Sequence, residues 1–199
     1  TSHGTNKSRK LKRTCLFKLS LLRKIRNYLP LNVRKMFFNY YIKPHLDYCN
    51  TVWGKTSKGN LDTLNRIQKQ AARLILDKDY TTPSEHLFRE LSLLNFADSV
   101  KYQEAVLVYK SLNGQAPPYM REMFQYVENN NLRSCSNKQL FIPRVYQKSI
   151  RFSGPKTWNN LNLNIREAKS ISQFKKRLIK NSLSKVTQCW ALYCFHTIC

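Results

Sequence analysis

Leu61-Asp62-Thr63-Leu64-Asn65-Arg66-Ile67-Gln68-Lys69-Gln70-Ala71-Ala72-Arg73-Leu74-Ile75 is the stretch that decides the fold class. Leu61, Leu64, Ile67, Ala71, Leu74 and Ile75 recur three and four residues apart, which is the period of one helix face and not the alternation of a strand. Arg66, Lys69 and Arg73 recur at the same spacing on another side, so three cations line one face. That face either lies along a nucleic-acid backbone or is the solvated side of an ordinary amphipathic helix. Asn60 stands where an N-cap is expected.

The same period extends outward in both directions. Upstream, Leu21, Leu22, Ile25, Tyr28 and Leu29 form a helical stripe that Pro30 ends. Val33, Met36, Phe37, Tyr40 and Tyr41 predict one face of a second helix, stopping near Pro44. The pair reads as a helical hairpin with a large aromatic face. Downstream, Thr82-Pro83-Ser84-Glu85 reads as a capping box opening a short helix with Leu87, Phe88 and Leu91. Residues 96–112 form the most apolar helix, with Val100, Ala105, Val106, Leu107, Val108 and Leu112, and Gly114 fits its C-cap. A further short helix is expected between Tyr119 and Val127. Composition shifts at Asn129-Asn130-Asn131, and Gln139 to Tyr146, around Pro143, predicts one or two short edge strands. Ser170-Ile171-Ser172-Gln173 is a second capping box. It opens a C-terminal helix with Ile171, Phe174 and Leu178 inward and Lys175, Lys176, Arg177 and Lys180 outward.

The chain has 199 residues, 42% of them apolar, enough to bury a core, and only five glycines, too few for a Gly-rich phosphate loop or a flexible linker. Thirty-five Lys plus Arg against eleven Asp plus Glu give a net charge of +24. Such a chain repels itself unless a polyanion lies near, which points to nucleic acid first and an anionic membrane second. Residues 1–46 hold twelve cations and no acid, 47–131 balance ten against ten, and 132–199 hold thirteen cations and one acid, Glu167. The two cationic ends either form a continuous basic surface or are solvated arms. No apolar run reaches the roughly 20 residues that would span a bilayer. The first residue is Thr1 and no signal peptide is visible, so the chain reads as part of something longer or as an incomplete gene model.

Cys15, Cys49, Cys135, Cys189, Cys194 and Cys199 are scattered, and an intracellular setting, nucleus or cytoplasm, predicts reduced thiols. Cys189, Cys194, His196 and Cys199 are the right types for zinc but lack a Cys-x-x-Cys knuckle. An apolar extension is the other reading of this tail. His45 and His86 read as helix-end or packing residues. No catalytic residue, metal or cofactor is expected from the residues alone.

Four blocks occur in order: Tyr41-Ile42-Lys43-Pro44-His45-Leu46-Asp47-Tyr48-Cys49 through Val52-Trp53-Gly54; Leu61 to Ile75 as above; Thr82-Pro83 with Leu112-Asn113-Gly114-Gln115-Ala116-Pro117-Pro118-Tyr119; and Phe152-Ser153-Gly154-Pro155 with Trp158-Asn159, Leu161, Ile165-Arg166 and Phe174-Lys175. This set resembles the C-terminal, post-palm segment of non-LTR (LINE-type, jockey-like) retrotransposon reverse transcriptases, over roughly residues 10–183. The resemblance implies a helical thumb gripping a template–primer duplex by its backbone, with palm and fingers lying upstream. The family's paired aspartates, in a Tyr/Phe-x-Asp-Asp turn, are matched only by Phe96-Ala97-Asp98-Ser99, where Asp98 reads as a helix-start residue. The tail departs from the family pattern after Leu183, and its Cys/His spacing does not match the family's.

The expectation is therefore a mainly α, multi-helix, thumb-like bundle, with a small irregular or β-hairpin element around residues 133–149 and a C-terminal helix. Its parts would be a basic arm (1–14), a helical module (15–128), a basic module (129–185) and an unmatched Cys-rich tail (186–199). RNA, RNA–DNA hybrid or DNA duplex would be held by Arg13, Lys18, Arg23, Arg26, Arg66, Lys69, Arg73, Lys175, Lys176, Arg177 and Lys180. Tyr48, Trp53, Gly54 and Trp158 would anchor the structure. A membrane partner is not expected. The alternative is a decayed or partial element with only a packing role, and an independent nuclease or polymerase is disfavoured because the acids are dispersed.

Overall fold

A computed structural model describes residues 2–48, 50–54, 58–127 and 138–181, with side chains from residue 9 onward except those of Val52, Trp53 and Lys58. The chain is mainly helical. It divides into two compact units, Thr1–Ser99 and Val100–Cys199, a division that falls inside one helix.

In the first unit, α1 (Ser2–Ile25) runs on into a 3-10 turn at Arg26–Tyr28. The basic stretch 2–14, open in sequence to an arm or the start of a helix, is the N-terminal part of α1, and no proline interrupts it. The buried face of α1 is Cys15, Leu19 and Leu22, while Leu21, Ile25 and Tyr28 face outward and Leu29 is half-buried, so of the expected stripe only Leu22 is fully inward. After Pro30 come α2 (Leu31–Phe37), a π-helical turn (Phe38–Ile42) and α3 (Lys43–Asp47). Here too the expected face is corrected: Phe38, Ile42 and Leu46 are buried, and Val33, Met36, Tyr40 and Tyr41 are exposed. The wider turn bears on the alignment of the buried set alone, since Val33 and Met36 precede it. Four residues advance an α-helix past a full turn, so residues spaced by four drift around it; one π turn cancels the drift and keeps Phe38, Ile42 and Leu46 together. Lys43 N–H donates to the Phe38 carbonyl five residues back. Pro44, which has no N–H, then sits in the first turn of α3 instead of ending the helix.

A short α4 (Asn50–Trp53) precedes α5 (Lys58–Leu76), whose stripe matches expectation: Leu64, Ile67, Ala71, Leu74 and Ile75 are buried. Asn60 lies within this helix and not at its cap. Asp77 leaves it at φ 53°, a left-handed geometry that Asp tolerates, and Lys78 N–H closes on the Arg73 carbonyl at 3.1 Å. α1 packs on α5, and α6 (Ser84–Glu90) covers another side through Leu87, Phe88 and Ala72. Pro83 occupies the N-cap of α6 and no side chain caps it, so the expected capping box does not form.

The helix α7 (Phe96–Leu112) opens with a cap that the sequence did not flag. Asn95 Oδ1 accepts from Asp98 N–H at 2.9 Å, and Asn95 Nδ2 donates to Asp98 Oδ2 at 2.8 Å. Asp98 is therefore a first-turn residue. Gly114 ends the helix at φ 69°, as expected.

The second unit contains α8 (Pro118–Glu122), α9 (Ile150–Asn159), α10 (Leu163–Arg166) and α11, residues 171–181. The expected strands around Pro143 reduce, among the described residues, to one antiparallel bridge between Tyr126 and Leu140. Its core gathers Val108, Tyr109, Phe124, Leu140, Trp158, Ile165, Phe174 and Leu178. Ser170 and Gln173 do cap α11: Gln173 N–H donates to Ser170 Oγ at 3.2 Å, and Gln173 Oε1 accepts from Lys169 N–H at 2.8 Å.

Candidate nucleic-acid interface

Each expected contact residue has a definite place, taken unit by unit. On α1, Arg13 and Arg23 are exposed, as are Arg9, Lys10, Lys12 and Lys24, which the sequence pattern did not single out. The helix carries no carboxylate in its 24 residues. Lys18 is turned inward: its Nζ donates to the Tyr41 carbonyl at 2.8 Å, lies 2.5 Å from His45 Nε2, and sits 5.8 Å from the Tyr41 ring centroid. Arg26 pairs with Asp77 at 3.1 Å, tying the end of α1 to the end of α5.

On α5, Arg66 is exposed and Lys69 half-buried. Arg73 is an internal strut. Its Nη2 donates to the Thr82 carbonyl at 3.3 Å and its guanidinium lies 4.8 Å from the centre of the Tyr80 ring. Arg34, which the sequence did not flag, donates to the Leu74 carbonyl at 3.4 Å, a favourable place for a cation at a helix C-terminus.

On α11, Lys176 and Lys180 are exposed and Lys175 and Arg177 half-buried, with the Arg177 guanidinium donating to the Asn164 carbonyl. Lys18, Arg26, Arg73 and Arg177 thus hold the protein itself together, which leaves Arg13, Arg23, Arg66, Lys176 and Lys180 exposed and Lys69 and Lys175 half-buried among the expected set.

The anchors divide as well. Trp158 is buried, donates from Nε1 to the Lys138 carbonyl at 3.0 Å, and stacks on Phe174, which stacks in turn on Tyr109. Gly54 is buried, and its N–H donates to the Asn50 carbonyl at 2.7 Å. Tyr48 is 69% exposed and is not a core anchor. The Trp53 side chain lies outside the described residues, as does the Cys/His tail.

The Phe152–Leu161 block is an architectural motif. Ser153 Oγ and Thr157 Oγ1 both donate to the buried Glu104 carboxylate at 3.0 Å. Asn159 clamps the main chain of Leu140, accepting its N–H and donating to its carbonyl, both at 2.8 Å. Glu104 gave no signal in the sequence because its partners lie 49 and 53 residues away.

Burial first, and the Lys18 charge second, hold His45 below the usual histidine range, which favours the neutral ring that accepts from Lys18. Among the described residues no group of three or more His, Cys, Asp or Glu is placed to hold a metal ion, and no helix is long and apolar enough to cross a membrane. No protein-family model matches the chain, nor does any curated protein or solved structure.

Proposed function

We propose that this chain is a nucleic-acid-binding module, akin to the post-palm segment of a non-LTR reverse transcriptase, that grips a template–primer duplex through its phosphates. One observation carries the proposal: α1, a helix without a carboxylate, exposes six cations, Arg9, Lys10, Lys12, Arg13, Arg23 and Lys24. Arg66 on α5 and Lys176 and Lys180 on α11 add exposed charge within their own units. The ordered sequence blocks supply the resemblance. Catalysis is assigned to the polymerase domain that the resemblance places upstream, and the setting would be nucleus or cytoplasm.

Backbone contacts carry no sequence information directly, so the module would bind RNA, RNA–DNA and DNA duplexes with little sequence preference. The test is affinity against salt. Each phosphate neutralised contributes about −0.9 to the slope of log K against log salt for B-DNA. Tight binding at low salt with a slope of several units is the expected result, and salt-independent affinity would reject the reading.

A second reading is motivated by the outward-facing Phe17, Met36 and Tyr40, which fit a packing remnant of a larger assembly. It predicts self-association of the isolated chain and no nucleic-acid affinity.

A further inference from the structure

α1 has two apolar stripes. Cys15, Leu19 and Leu22 are buried in the first unit, where α1 packs on α5. The second stripe, Phe17, Leu21 and Ile25 at steps of four, faces outward, and Tyr28 continues it one 3-10 turn above Ile25. Phe17 is 64% and Tyr28 87% exposed. At 100° per residue, Lys10, Arg13 and Lys24 lie within about 40° of Phe17 and so flank that ring, while the steps of four carry Ile25 and Tyr28 about 80° around the helix from it. All three cations are exposed.

We propose that this outward side of α1 is a strip for an unpaired nucleic-acid strand, with bases stacking on Phe17 and Tyr28 and phosphates meeting Lys10, Arg13 and Lys24. The inference rests on the nucleic-acid reading and deepens it, because a duplex has no open base face to offer a ring. Base–aromatic stacking tolerates any sequence, since every base has a π-face, and a cationic track follows the backbone. Phe17 and Tyr28 are about 18 Å apart along the axis, several times the ~3.4 Å step of stacked bases, so a strand touching both is drawn out between them. Interleaving also decides against a lipid surface. A helix lying in a bilayer interface segregates its cations from its apolar face, whereas here immersing Phe17 would immerse Lys10, Arg13 and Lys24 with it.

The experiment measures binding of a short oligouridine and of a blunt DNA duplex to the whole chain at low salt, by fluorescence anisotropy. Phe17→Ala with Tyr28→Ala should weaken the oligouridine by roughly fivefold or more per ring and leave the duplex, held by cations, unchanged. Phe17→Tyr with Tyr28→Phe keeps both rings and should restore wild-type affinity; equal melting temperatures would show that all variants fold. Unchanged oligouridine binding by the alanine pair overturns the strip, as does an equal loss for both ligands. In either case steep salt-dependent duplex binding by the wild type leaves the wider reading standing. A wild type that binds neither ligand overturns both, and loss of binding to anionic vesicles alone reassigns the strip to a lipid surface.

Discussion

A β-carbon placed on Gly154 would lie 2.9 Å from Cε1 of Phe124, inside van der Waals contact, and 3.1 Å from Cγ2 of Val108. Gly154 is mid-helix in α9, where alanine would ordinarily stabilise by about 1 kcal/mol. Phe124 is buried, so its ring cannot swing into solvent. Overpacking of this kind costs about 1–3 kcal/mol and should outweigh the helix preference. Gly154→Ala is expected to lower the urea midpoint; a higher midpoint would mean that α9 shifts freely against Phe124.

The same block predicts a second stability effect. Glu104 is buried and accepts from Ser153 and Thr157, and leaving a buried acceptor without its donor costs about 1–3 kcal/mol. Thr157→Val keeps the shape and removes one donor, so it should destabilise by about that amount. Paired with Ser153→Ala in a double-mutant cycle, the two losses should be non-additive, because both donors serve one carboxylate.

The sequence made α5 legible and α1 deceptive for one physical reason. α5 carries a single apolar stripe, so period alone picks the buried face. α1 carries two, Cys15–Leu19–Leu22 and Phe17–Leu21–Ile25, and spacing cannot say which one meets a partner. Between Val33 and Leu46 two apolar sets coexist in the same way, and it is Phe38, Ile42 and Leu46 that are buried while Val33, Met36 and Tyr40 are exposed. Cations were legible as charge but not as role. Arg73 and Arg177 are tied to the carbonyls of Thr82 and Asn164, and a carbonyl acceptor leaves no mark on composition.

Cys15 offers a chemical probe of the packing of α1 on α5. Burial pushes its thiol up to about 11, against a partial opposing effect of Lys18. In the folded chain at pH 8 it should resist iodoacetamide, and denaturant should expose it to the rate of an ordinary thiol of pKa about 8.5. A raised folded pKa means that the stabilisation is intact below the unfolded value and lost as pH climbs toward 11. Peptide mass spectrometry at Cys15 reads the labelling; rapid labelling of the folded chain would place α1 away from α5.

His45 should make stability fall on the acid side. Its folded pKa lies below the ordinary value of about 6.5, so between the two the unfolded chain binds the extra proton. The contribution is present above 6.5 and is lost as pH drops through that value toward the folded one. Protonation also replaces the acceptor of Lys18 with a second cation, loosening α3 from α1. His45→Asn should flatten this part of the pH–melting curve; an unchanged slope would assign it to other groups.

Charge reversal on α5 should separate binding from folding. Arg66 is exposed at the surface of α5, away from the buried stripe, so Arg66→Glu should leave the melting temperature unchanged. It should weaken duplex binding equally for all sequences and lower the magnitude of the salt slope by about 1 for each phosphate that the helix no longer neutralises. Arg73→Glu removes the Thr82 hydrogen bond and the stack on Tyr80, and leaves a carboxylate in a half-buried site at the end of α5. It should lower the melting temperature as well as the affinity. If Arg66→Glu binds like the wild type while Arg73→Glu loses affinity only in proportion to its unfolding, α5 is scaffold, and the grip belongs to the cations of α1 and α11.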